Sequence, residues 1–244
     1  MMDKRLIHSN SLMSGSRFAA NFDYKMHNYH LIKFQSKMKG LNCLELGCYH
    51  GEMTKKLSTI CSTVTAIDFD EVCVSKTKEN CIEEESISVL QEDFFEYKHY
   101  SNHDVIYFSH SLEHIEDDQK LLELIFTQMK KGAILITVVP NGRSLSRKIA
   151  VKMGIVKSEL AVTEFEKSIG HCRTYDMHSF KELFTSFKFS QLEFGGIMPK
   201  IFSNNQFDQC LDNEIIDDKF LDALFELSDE LPEICSSIYT ICTK

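Results

Sequence analysis

The segment Cys43-Leu44-Glu45-Leu46-Gly47-Cys48-Tyr49-His50-Gly51-Glu52-Met53-Thr54 constrains this chain more than any other stretch. An apolar run ends in a turn punctuated by two glycines, and a helical pattern begins directly behind the second. Fourteen residues past Thr54, Asp68 closes another apolar run, Val64-Thr65-Ala66-Ile67. A buried strand, a glycine turn, a helix and an acidic side chain at the end of the next strand are the layout of a nucleotide-type site in a doubly wound sheet.

The alternation continues along the chain. Strands are expected over 41–46, 64–67, 87–90, 104–108 and 133–139, with helices over 53–60, 71–81 and 118–131 between them. The last of these helices carries Leu121, Leu122, Ile125 and Met129 on one stripe and has Gly132 as its stop. Strands alternating with helices give a parallel sheet covered on both faces. Ahead of the sheet, Phe18, Phe22, Tyr29, Ile32 and Phe34 are spaced for a partly buried helix before Gly40. Behind it, 141–175 break the alternation. A helix over 176–187, a strand over 189–194, a turn at Gly195-Gly196, a helical stretch over 206–230 and a last strand over 234–242 complete the pattern. The chain therefore reads as one α/β domain with an N-terminal helical cap (1–40), a core (41–140), an insertion after strand five (141–175) and a C-terminal part (176–244).

Composition narrows the partners. A net charge of −9 disfavours duplex nucleic acid, whose phosphates need clustered cations. No apolar run reaches the roughly 18 residues of a membrane-crossing helix. Nine cysteines, none in a C-x-x-C pair, sit mostly in apolar runs, which fits reduced thiols in a cytoplasmic protein.

These residues resemble the class I S-adenosylmethionine-dependent methyltransferases over roughly residues 41–140. Glu45 and the Gly47-xxx-Gly51 spacing look like the family's first motif, where the loop backbone approaches the methionine part of S-adenosylmethionine and the following helix start faces its carboxylate. Tyr49 stands where the family usually has a third glycine, and its ring is placed over the cofactor or toward the acceptor. Asp68 resembles the acidic residue that accepts from both ribose hydroxyls, with Phe69 packing on adenine. Asp93 and Phe94 look like the adenine motif. Ser109 and His110 begin the run Ser109-His110-Ser111-Leu112-Glu113-His114, which is similar to the Leu-Glu-His signature after strand four in small-molecule members. The resemblance further implies a Rossmann-like, mostly parallel seven-stranded sheet with an antiparallel last strand, and S-adenosylhomocysteine as product.

His110, His114 and His171 are the candidate catalytic bases by position. Tyr49, His50, Asn141, Arg143, His171, Arg173 and Tyr175 are the candidate acceptor contacts, the two arginines suiting a phosphate or carboxylate or else making ordinary salt bridges. His110, Glu113 and His114 have the i, i+3, i+4 spacing of one helical face, so with His171 they form a candidate site for a divalent metal. Residues 144–154 form a basic amphipathic pattern, read as a lid in preference to a membrane-leaning helix. The expected activity is methyl transfer, with oxygen the preferred acceptor atom, to a small polar or anionic metabolite. A sugar or phosphorylated intermediate of surface-polysaccharide assembly is preferred. A quinone-pathway phenol, a catalytically idle cofactor-binding regulator and an NAD(P)-dependent enzyme are the alternatives.

Overall fold

The computed structural model describes residues 21–244, so the expectation for Phe18 lies outside the described residues. Five strands pair in parallel: β1 (Asn42–Leu46), β2 (Thr63–Asp68), β3 (Ile87–Gln91), β4 (Val105–Ser109) and β5 (Ile134–Pro140). With β6 (Gln191–Ile197) and β7 (Ser237–Thr243) they form one sheet in the order β3-β2-β1-β4-β5-β7-β6. β7 runs antiparallel to both β5 and β6. This is the seven-stranded, mostly parallel arrangement that the resemblance implied.

Parallel pairing needs a crossover between strands, and short helices supply three of the four between β1 and β5: α2 (Glu52–Ser58), α3 (Glu71–Asn80) and α4 (Asp118–Gln128), while a 3₁₀ turn at Tyr100–Asn102 lies on the way from β3 to β4. The sheet is apolar on both faces because each strand alternates between two cores. On β4, Ile106 and Phe108 pack with Leu121, Leu122 and Ile125 of α4 and with Phe180 and Phe184 of α7 (Met177–Thr185). Val105 and Tyr107 point the other way, against Phe22, Met26, Tyr29, Phe34 and Met38 of α1 (Asn21–Met38). Phe207 of α8 (Asn204–Asp212) and Leu221 of α9 (Asp218–Glu226) close that second core.

Several expectations need correction. Ile32 is half exposed, at 50%, because Met26 and Met38 take the inward positions on α1. The helix expected over 118–131 ends at Gln128, where Met129 turns extended and buries its side chain in the core. The stretch 206–230 is two helices: Glu214 adopts a φ of 55° between them, and Asp217 restarts the second by accepting from the Phe220 N–H at 3.0 Å. The last strand begins at Ser237, after a 3₁₀ turn at Pro232–Ile234.

Gly195-Gly196 is not a turn but part of β6. A Cβ at Gly195 would stand 2.4 Å from the Tyr239 hydroxyl oxygen, and one at Gly196 would stand 2.5 Å from the Pro232 carbonyl oxygen. The glycines let β7 and the 3₁₀ turn press onto β6. Residues 141–175 carry α5 (Leu145–Lys152) and α6 (Glu164–Ser168). Arg147 joins them, donating to the Glu166 carboxylate and the Glu159 carbonyl, both at 2.6 Å.

Because the Pro232 carbonyl is backbone and cannot rotate away, Gly196→Ala is expected to cost about 1–3 kcal/mol by overpacking. Urea unfolding of the two proteins measures it, and equal midpoints would contradict this account of the glycine pair.

Candidate active site

The carboxyl ends of β1, β2 and β4 meet at one rim of the sheet, and the loops that leave them build a cleft. In the β1 loop, Gly47 has a φ of 84°, and a Cβ there would stand 2.2 Å from the Ser111 hydroxyl oxygen. Gly51 has a φ of 87°, with the Thr77 side chain 2.9 Å from its missing Cβ. Both positions combine a left-handed backbone with close neighbours, so only glycine fits. From behind, Thr77 donates to the Tyr49 carbonyl at 3.0 Å and Asn80 to the His50 carbonyl at 2.8 Å.

Tyr49 itself adopts a φ of 48°, an uncommon conformation for a residue with a side chain. Its ring stacks on His50 with centroids 3.8 Å apart, and both residues line the cleft. The Tyr49 N–H donates to Asp68 Oδ2 at 3.2 Å, while the Asp70 N–H donates to Asp68 Oδ1 at 3.1 Å. Two backbone donors thus fix the Asp68 carboxylate at the cleft wall. Asp70 in turn caps α3 through the Val72 and Cys73 N–H groups.

Glu45 is buried beneath this loop and accepts from Thr54 Oγ1 at 2.5 Å. Asp93 accepts from the Phe95 N–H at 2.9 Å, and Phe94 packs edge-on against Phe108. Phe69, Asp93, Phe94 and Ser109 line the same cleft as Glu45, Gly47 and Asp68. The helix α2 behind Gly51 is only seven residues long.

At the far end of the cleft stands a group of histidines. His110 has a φ of 51° and is not helical, so the expected helical face of His110, Glu113 and His114 does not exist. Only Leu112–His114 form a single 3₁₀ turn. The His110 ring stacks on His30 at 5.6 Å, with its Nε2 3.3 Å from Ser237 Oγ and its Nδ1 3.8 Å from Glu113 Oε1. Its accessible face, 39% of the side chain, looks into the cleft. Burial, reinforced by His27, His171 and Lys200, pushes its pKa down to about 3.

His171 arrives from the insertion. The Cys172 N–H donates to the Glu113 carbonyl at 2.9 Å and Cys172 Sγ to the His114 carbonyl at 3.3 Å. These bonds set the His171 ring across His114, with centroids 4.6 Å apart.

Other expected acceptor contacts lie elsewhere. Arg143 pairs with Asp176 at 2.9 Å; Arg173 pairs with Asp118, which also accepts from the Tyr175 hydroxyl at 2.6 Å. None of Arg143, Arg173 and Tyr175 lines the cleft, and their contacts fasten the insertion to α4 and α7. Asn141 does line it, but its amide is committed to the carbonyls of Glu233 and Cys235 and to the Arg143 N–H.

Among the polar cleft residues that sequence reasoning missed are Asp23, His27, His30 and Lys200. The first three recur at i, i+4, i+7 on α1, a polar stripe inside an otherwise inward face, and that was the available signal. Lys200 sits in the turn after β6, hydrogen-bonded to Asn204 Oδ1, and its ammonium lies 5.3 Å from the Phe22 ring centroid. Asn204 also donates to Asp23. Burial lowers the Lys200 pKa to about 8, against the opposing pull of Asp23. His27 is pushed down to about 4 by burial and by Lys56.

The cleft encloses about 1490 Å³, more than the roughly 300–1,000 Å³ of a typical single-ligand pocket. Its glycine-cradled end and its histidine end are continuous. Among the described residues no helix is long and apolar enough to cross a membrane.

Comparison with known proteins agrees with this arrangement. A family model described as a methyltransferase domain matches residues 17–193. No curated protein matches the sequence significantly. Among solved structures, the N-methyltransferase NodS from Bradyrhizobium japonicum in complex with S-adenosylhomocysteine is similar over 97% of this chain and 98% of its own, with a TM-score of 0.60 and 13% identity. A SAM-dependent methyltransferase from Archaeoglobus fulgidus is similar over 91% of this chain and 94% of its own, with a TM-score of 0.58 and 18% identity. The plantazolicin methyltransferase BpumL, also in complex with S-adenosylhomocysteine, is similar over 100% of this chain and 91% of its own, with a TM-score of 0.56 and 17% identity. With the family model covering most of the chain and the glycine cradle, acidic strand end and sheet order all in place, this protein belongs to the S-adenosylmethionine-dependent class I methyltransferase family.

Proposed function

We propose that the protein transfers a methyl group from S-adenosylmethionine to an oxygen of a small anionic metabolite, a sugar or phosphorylated intermediate of surface-polysaccharide assembly being the preferred class. The observation that carries this reading is one continuous cleft with a carboxylate-and-glycine cradle at one end and neutral histidines with a desolvated lysine at the other.

The cradle fits the cofactor. At Gly47 the space of a missing Cβ is taken by Ser111, which lets the loop backbone face the cleft directly. Asp68 presents a prefixed carboxylate suited to a diol, with Phe69 and Phe94 beside it. Burial, partly offset by Thr54 and reinforced by Asp68, raises the Glu45 pKa to about 8. A cation entering the cleft relieves that cost. When bound, S-adenosylmethionine supplies a methyl group already activated on a sulfonium sulfur.

The chain then has to align the acceptor and take its proton. Burial keeps His110 uncharged, so it offers a lone pair to an O–H group without placing a second positive charge near the sulfonium. With S-adenosylmethionine held by the cradle, its sulfonium would supply the methyl group, and the histidine end of the cleft would hold the acceptor hydroxyl toward it. The hydroxyl proton passes to an imidazole nitrogen of His110 and from there to water. Lys200 is the anion anchor that replaces Arg143 and Arg173, since two of its three ammonium protons remain after Asn204.

Transfer of labelled methyl groups to a panel of sugar phosphates, neutral sugars and phenols tests the proposal. Phosphorylated sugars should be substrates, and Lys200→Met should raise their KM about tenfold or more while leaving S-adenosylhomocysteine affinity unchanged, as expected for one lost charge-assisted contact of about 1.5–3 kcal/mol. Methylation confined to phenols, indifferent to Lys200, would sink the anionic reading.

Asp68→Ala should weaken S-adenosylhomocysteine binding by about 1–3 kcal/mol in calorimetry, and unchanged affinity would show that the cradle binds something else.

Glu45 yields a pH signature. Its folded pKa is raised from the ordinary 4.5 to about 8, so in that window the folded state holds a proton that the unfolded state has released. Stability from this group is therefore greatest below pH 4.5 and falls until about pH 8. Relative to wild type, ligand-free Glu45→Gln should gain up to about 1.4 kcal/mol per pH unit across the window and hold level above it. A pH-independent difference in urea unfolding contradicts the assignment.

A further inference from the structure

Glu113 is a buried carboxyl group whose placement the cofactor cradle does not explain. It is 98% buried, being 2% exposed, yet its Oε2 has no hydrogen-bond partner among the described residues. Among the described residues no lysine or arginine is paired with it; its neighbours are His110 Nδ1 at 3.8 Å and His171 Nε2 at 4.0 Å from Oε1. A buried carboxylate without a cationic partner or full hydrogen bonding costs several kcal/mol. The fold nevertheless places it there with some force. Its own carbonyl accepts from the Cys172 N–H at 2.9 Å, and the His171 N–H donates to the Glu166 carbonyl at 2.9 Å. Two chain segments far apart in sequence are thereby locked together around this carboxyl group.

One ligand atom from each of Glu113, His114 and His171 lies within 4.8 Å of the others. From this convergence and the unsatisfied Glu113 oxygen we infer that the three side chains form a binding site for a divalent transition-metal cation. His110 is not one of the three, which alters the four-residue set expected from spacing.

The donor set decides the class of ion. Two imidazoles and one carboxylate are borderline ligands that suit zinc, cobalt or nickel better than magnesium or calcium, which prefer oxygen alone. Metal–nitrogen and metal–oxygen bonds are about 2.0–2.2 Å, so the three ligand atoms close in on the ion from a mutual spacing within 4.8 Å. Three protein ligands leave a coordination position open, the pattern of reactive and not of purely structural sites. That position faces the cleft, since Glu113, His114 and His171 all line it. A cation there supplies the charge Glu113 lacks. Its role in holding an acceptor oxygen rests on the methyl-transfer reading above, whereas the site itself does not.

The test uses the full, tag-free chain stripped with chelator and titrated with cobalt(II), whose visible absorption reports coordination by nitrogen and oxygen. One cobalt per chain should bind, and zinc should displace it. Glu113→Gln and His171→Gln should each weaken binding by more than the roughly 10–100-fold that outer-sphere partners cost. His178→Gln, on the exposed face of α7, should change nothing. Calorimetry with S-adenosylhomocysteine on the same samples shows that each variant is folded, and where Glu113→Gln fails this check the His171 variant carries the comparison. Failure of wild type to bind cobalt or zinc while it binds S-adenosylhomocysteine overturns the metal site and leaves the cofactor reading standing. Binding that is indifferent to both variants overturns it as well.

Discussion

Parallel pairing of β1 with both β2 and β4 is the constraint on which the rest depends. In register, Glu45 lies between Ala66 and Tyr107, and Leu46 between Ile67 and Phe108. The three strands therefore stop together, and the chain must leave each one at the same rim. Asp68, Gly47 and Ser111 meet there because the hydrogen-bond register leaves them nowhere else to go. The Tyr49-to-Asp68 hydrogen bond and the contact of Gly47 with Ser111 turn that coincidence of strand ends into a fixed cradle.

A cradle made this way collects negative groups. Glu45 and Asp68 are both at least nine-tenths buried near the rim, and burial raises Glu45 to about 8. Opposing carboxylates under low dielectric favour any incoming cation over an anion. The histidine end shows the reverse bias, with His110, His27 and Lys200 all depressed by burial. The cleft is thus polar in two ways along its length, with buried acids under the cradle and buried bases at the histidine end.

This polarity explains which parts of the site were legible in the sequence. Strand order and the cradle follow from local signals: apolar runs, two glycines that no other residue can replace, and acids at strand ends. The same locality misled where tertiary packing overrides it. Gly195-Gly196 has turn composition, but Tyr239 and the Pro232 carbonyl need that space, so the pair stays in a strand. His110-x-x-Glu113-His114 has helical spacing, but the positive φ at His110 and the 3₁₀ turn behind it give a different cluster. Arg143 and Arg173 have the right chemistry for an anion, but Asp176 and Asp118 already claim them.

The acceptor end was least legible because no single segment contains it. His27 and His30 come from α1, His110 and Glu113 from the loop after β4, His171 from the insertion and Lys200 from the turn after β6. Each is unremarkable alone; only the packing of α1 against β4 through Phe34 and Tyr107 brings His30 onto His110. An arrangement assembled from four separate segments can change its ligand by altering any one of them while the cradle, built from contiguous strand ends, stays intact. The physical division between a local cradle and a distributed histidine wall leaves the one free of changes in the other.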